Sequence, residues 1–195
     1  MRTLPPLATC VRDRCLDCPV REVVHCHFRI WDFLRFMAIA LPGLLLGALA
    51  IRMYQRQWLV PWVVACAAFF GLVEIRVLCS HCPHYAQPGR VLRCWADYGS
   101  PKLWRYRPGP LSRVERLVLL SGFAAIWGFP LGTALVGRDF VLVGAMVVAI
   151  AGFYAALRRR FCSRCMNFAC PLNVVPQQAR DDFLAVNPSV SQGRK

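Results

Sequence analysis

Three short stretches of this chain place cysteines at a spacing that suits a metal. Cys15-x-x-Cys18, Cys79-x-x-Cys82 and Cys162-x-x-Cys165 each hold two sulfurs a few ångströms apart, as tetrahedral zinc and iron–sulfur cubanes require. Cys94 follows the second pair and Cys170 the third, so Cys15, Cys18, Cys79, Cys82, Cys94, Cys162, Cys165 and Cys170 are the candidate ligands. Cys10 and Cys26 are further candidates. His25, His27, His81 and His84 lie beside these cysteines and have the chemistry to complete mixed Cys/His zinc sites. For His25 and His27 the plain alternative is an interfacial or solvated ring. Redox-active dithiols, above all Cys15 and Cys18 at a helix start, or lipidated cysteines are other uses of the same residues.

The neighbours of the thiols point toward iron–sulfur clusters, with zinc as the alternative. Cys18-Pro19, Cys82-Pro83 and Cys170-Pro171 match the Cys-Pro that ends bacterial ferredoxin motifs, and Cys10-x4-Cys15-x2-Cys18 has the plant-type spacing. Cys162-x2-Cys165-x4-Cys170-Pro171 matches part of the bacterial run, and no complete run occurs. None of the pairs carries the glycine that often follows the second cysteine of a zinc knuckle. Ten of the 11 cysteines fall outside apolar runs, enough for two four-cysteine sites. A helix from Pro19 would put Cys26 about 11–12 Å from Cys18, too far to share one ion.

These thiols need elements to position them, and composition says which. Of 195 residues 57% are apolar and 17% charged, with a net charge of +14, a balance that fits apolar spans flanked by basic residues on anionic headgroups. Four runs read as spans: Leu34 to Met53, Leu59 to Leu78, Leu117 to Val136 and Phe140 to Leu157, each long enough for the hydrocarbon layer. The expected fold is an all-α integral membrane protein, four transmembrane helices as two hairpins with a cysteine-rich, loop-rich cytoplasmic cap. Its parts are residues 1–32, a cysteine-rich segment; 33–78, the first hairpin; 79–116, a basic and aromatic loop; 117–157, the second hairpin; and 158–195, a cysteine-rich segment and tail. An amphipathic helix is expected to run from Pro19 through Val20, Val23, Val24, His27 and Trp31 into the first span. A short helix is expected from Pro176 to Val186. Gly43-x-x-x-Gly47 and Gly128-x-x-x-Gly132 are the small-residue pairs that favour close helix contact.

Charge sets the expected orientation. Six basic residues fall in 1–35, seven in 90–116 and seven in 158–195, against three in the two turns, so both termini and the middle loop should face the cytoplasm. No cleavable signal peptide is visible. The expected location is the inner or plasma membrane of a prokaryote, and a reducing compartment disfavours structural disulfides. The aromatic and basic residues from Trp95 to Pro110 are read as lying on headgroups rather than stacking on nucleic acid. Glu74 is read as an interfacial partner of Arg76, with a proton or quinol contact as the functional alternative. No histidine falls within a span, which argues against a b-type haem, and no phosphate loop or His-Glu-x-x-His occurs.

The layout resembles that of four-span quinol-dehydrogenase subunits with cytoplasmic ferredoxin clusters. That resemblance implies electron transfer between a soluble carrier and a quinone or another membrane subunit. The alternatives are a scaffold or assembly factor held by structural zinc, and a membrane thiol oxidoreductase.

Overall fold

The computed structural model describes residues 18, 20–26, 28–87 and 89–187; the candidate residues Cys10, Cys15 and His27 lie outside them. The protein is mostly helical. Helices α1 (Ile30–Tyr54), α2 (Arg56–His81), α3 (Arg113–Val136) and α4 (Phe140–Arg164) are each long and apolar enough to cross a membrane. Val60, Val136, Val141 and Val148 are 71–85% exposed on their outer faces, a surface suited to lipid rather than water. Each helix outruns the apolar run that predicted it, because helical geometry continues into the flanking polar residues. A short helix, α5 (Gln177–Val186), follows, in the expected place.

Small residues let the long helices approach. α1 packs along both α3 and α4. A Cβ on Gly43 would stand 3.0 Å from the Trp127 ring, and one on Gly47 3.2 Å from Pro130, so this pair does mark a helix contact. Gly128 and Gly132 do not, since nothing lies within 4 Å of a Cβ built on either. The close approach on α3 falls at Gly122 instead, where a Cβ would overlap the Phe69 ring of α2. The indole N–H of Trp62 donates to the Ile126 carbonyl at 3.2 Å and ties α2 to α3. Away from the cysteines, the Tyr54 hydroxyl donates at 2.9 Å to Asp139, whose other oxygen caps α4 by accepting from the Leu142 N–H.

Two regions differ from expectation. The amphipathic helix before α1 is absent: residues 20–23 make one turn, and α1 begins only at Ile30. Val20 and Val24, each 2% exposed, are buried against Met166, Val175, Ala179 and Phe183. The His25 N–H, which a helix would use internally, donates to the Arg164 carbonyl at 2.9 Å. Tertiary burial outweighs the weak helix preference of a β-branched segment, so the helical distance from Cys18 to Cys26 does not apply. The middle loop, expected to be irregular, contains an antiparallel pair, β1 (Val91–Arg93) and β2 (Tyr98–Pro101), with an irregular register between Val91↔Pro101 and Arg93↔Tyr98.

Candidate metal centre

Two cysteine pairs leave the helices by the same route. A π-helical turn, Phe69–Glu74 in α2 and Leu157–Phe161 in α4, comes shortly before each; such turns widen the helix and concentrate at functional sites. Each pair then sits at a tight 3₁₀ turn, Cys79–His81 or Cys162–Arg164. The serine between the cysteines bonds back one helical turn: Ser80 Oγ to the Arg76 carbonyl at 2.6 Å, and Ser163 Oγ to the Arg159 carbonyl at 2.8 Å. The second cysteine of each pair is extended, with φ −75° and ψ 134° at Cys82 and φ −79° and ψ 127° at Cys165.

The two exits converge. Cys79, Cys82, Cys94, Cys162, Cys165 and Cys170 line one cavity of about 380 Å³. Within it the thiols of Cys82, Cys162, Cys165 and Cys170 form a mutually interacting group. Burial, then the charges of Cys82, Cys170 and Cys162, raise Cys165 well above the usual thiol range. Burial and Cys170 push Cys82 up to about 12, and burial carries Cys170 to about 11. Backbone N–H groups oppose this. They come from His84 and Tyr85 at Cys82, Asn167 at Cys165, and Leu172 and Asn173 at Cys170. The Asn167 N–H lies 3.4 Å from Cys165 Sγ, and the Asp97 N–H 3.1 Å from Cys94 Sγ. Amides two or three residues after a cysteine, aimed at its sulfur, favour thiolate, the form that binds metal.

Two asparagines hold this geometry. The Asn173 amide donates to the Cys165 carbonyl at 2.6 Å and the Asn167 carbonyl at 3.1 Å, and its oxygen accepts from the Val175 N–H and Arg180. The Asn167 amide donates at 3.2 Å to the Leu78 carbonyl, joining the third cysteine segment to the exit of α2. Sequence reasoning passed over both, since each works through backbone partners that only the fold brings near. Asn173→Ala should leave the helices intact and weaken metal retention by roughly tenfold or more, as loss of an outer-sphere hydrogen bond does. Metal per chain after dialysis against a graded chelator checks this.

The other candidates lie around the cavity. Cys18 and Cys26, both half-buried, pack with Cys82 on the apolar cluster that holds Val20 and Phe183. His81 is turned away from the thiols: its ring nitrogens face the Gly109 carbonyl at 3.2 Å and Glu115 at 3.4 Å. His25 stacks on Trp95 with centroids 5.2 Å apart, and His84, on the cavity wall, meets the edge of Phe28 at 5.0 Å. Trp95 also meets Phe161 edge-on at 5.3 Å, so rings screen the thiols from solvent. Glu74 is not the partner of Arg76, which lies 3.6 Å from Glu115 beside His81 and Arg107. It is 8% exposed and lines the cavity with Asp97. Cys66 packs as an apolar side chain against the helix core.

Comparison with known proteins gives no match to a family, a curated protein or a solved structure.

Proposed function

We propose that this protein is a membrane electron carrier in which Cys82, Cys162, Cys165 and Cys170 hold an iron–sulfur cluster. Four thiols from two distant segments on one buried cavity are the observation that carries the reading. The residues fit the group: sulfur donors, N–H groups aimed at sulfur, and a water-excluding aromatic wall are the levers that set cluster stability and potential. A lone ion between four sulfurs leaves little free space, whereas 380 Å³ far exceeds the share of about 30 Å³ that one water takes in the liquid. In this reading the four helices form two hairpins, with both termini, the thiols and the middle loop on the cytoplasmic side, where basic residues favour anionic headgroups. Cys15 and Cys18 stay candidates for a further site.

The cavity continues between the helices past Met37, Leu44, Phe123, Trp127 and Phe153. That apolar extension suits a quinone as the partner on the membrane side, with another membrane subunit as the alternative. Arg158, Arg159, Arg160 and Arg164 are exposed beside the thiols and suit an acidic soluble carrier on the other side.

The test is metal and sulfide content, with a visible spectrum, on the full chain purified in detergent without oxygen. Iron matched by sulfide, with visible absorption that dithionite bleaches, is the expected result. Colourless protein with stoichiometric zinc would overturn electron transfer and make the protein a zinc-held scaffold, because the same N–H groups also suit a four-thiolate zinc site.

A further inference from the structure

A second group of donors stands beside the four thiols and differs from them in kind. Glu74 comes from the π-helical turn of α2, Cys79 from the end of that helix, and Cys94 and Asp97 from the turn between β1 and β2. Ligand atoms of Glu74, Cys79 and Asp97 all lie within 4.8 Å of one another. Cys79 Sγ is 3.2 Å from Asp97 Oδ2, and Asp97 reaches back through its N–H to Cys94 Sγ at 3.1 Å. Ser100 holds the other Asp97 oxygen at 3.0 Å. Both carboxyl side chains are buried, with Glu74 8% and Asp97 7% exposed. Among the described residues no basic side chain lies within ion-pair distance of either, and no donor bonds to the Glu74 carboxyl. Two neighbouring carboxyls in a dry site with no cation are costly, and a bound cation removes that cost.

We propose that Glu74, Cys79, Cys94 and Asp97 form a second, mononuclear site for a divalent zinc-like ion, separate from the four-thiol group. Two sulfurs and two carboxyl oxygens suit tetrahedral zinc; magnesium and calcium want oxygen shells, and cuprous ion wants sulfur alone. Binding releases the Cys79 and Cys94 thiol protons to solvent, and the ion takes the place of the Cys79–Asp97 hydrogen bond. The ion then ties the α2 exit to the β-turn, which has little apolar surface of its own. The site goes beyond the electron-transfer reading and does not rest on it.

The experiment uses Co²⁺ as the probe on the full chain in detergent, stripped with chelator and kept without oxygen. A Cys165→Ser chain, in which the four-thiol group is broken, should still bind one Co²⁺ with thiolate-to-cobalt absorption. Adding Asp97→Asn or Glu74→Gln, both close in shape to the original, should weaken that binding at least tenfold while the thermal transition stays in place. Equal Co²⁺ affinity with and without Asp97→Asn and Glu74→Gln would overturn the site, and so would no Co²⁺ uptake by the folded Cys165→Ser chain. Iron and sulfide in the unsubstituted chain report on the four-thiol group alone, so failure of either reading leaves the other standing.

Discussion

Replacing Cys165 with serine should strip the four-thiol group of its metal, with at least a tenfold fall in iron per chain. The sulfur is buried among three others, with Cys82, Cys162 and Cys170 all close enough to raise its pKa. A serine hydroxyl there is a harder, far less acidic donor, and it leaves three thiolates to hold what four held. The backbone around it is already fixed. His25 and Cys165 form a parallel bridge, and the Asn173 amide holds the Cys165 carbonyl at 2.6 Å. The segment therefore cannot swing another donor into place. Iron and sulfide analysis checks the loss, and the thermal transition shows whether the chain still folds. Iron retained at the unsubstituted level would remove Cys165 from the ligand set.

Phe183→Ala should have the largest effect on stability. Phe183 is 0% exposed and meets the Phe168 ring edge-on at 5.5 Å, inside a cluster built from Val20, Val24, Met166, Val175 and Ala179. Truncating a buried phenylalanine costs about 3–5 kcal/mol through lost transfer energy and the cavity left behind. The long helices do not share this cluster, so the loss should stay local. Amides of α5 and residues 20–26 should lose hydrogen-exchange protection while those of α1, α3 and α4 keep theirs. Arg180, on the same helix, holds Asn173 at 3.1 Å, so metal retention should fall with the protection. Full protection of α5 in the variant would show that the cluster does not hold the segment.

How much could be read in advance depended on how local the cause was. The four long helices were legible because each follows from an unbroken apolar run, and only their ends moved. α5 was legible for the same reason. The segment from Val20 to Cys26 was misread because its valines do suit one helical face; what decides it is burial against residues far along the chain, Met166 to Phe183. The nearness of Glu74 to Asp97 had no sequence signal. It depends on the β-turn folding back over the end of α2, where Leu92 packs with Ile75 and Tyr85. Glycine pairs carried half their message: Gly43 and Gly47 lie at a helix contact, Gly128 and Gly132 do not, and Gly122 does without a partner glycine.

The position of Cys162, Cys165 and Cys170 after the last long helix bears on how the protein is made. Three of the four thiols are the last of the group to leave the ribosome, and Cys82 waits for them through the synthesis of two helices. The site therefore cannot take part in inserting the helices into the bilayer. Whatever delivers its contents meets a chain already anchored, at the surface, with its final segment still open.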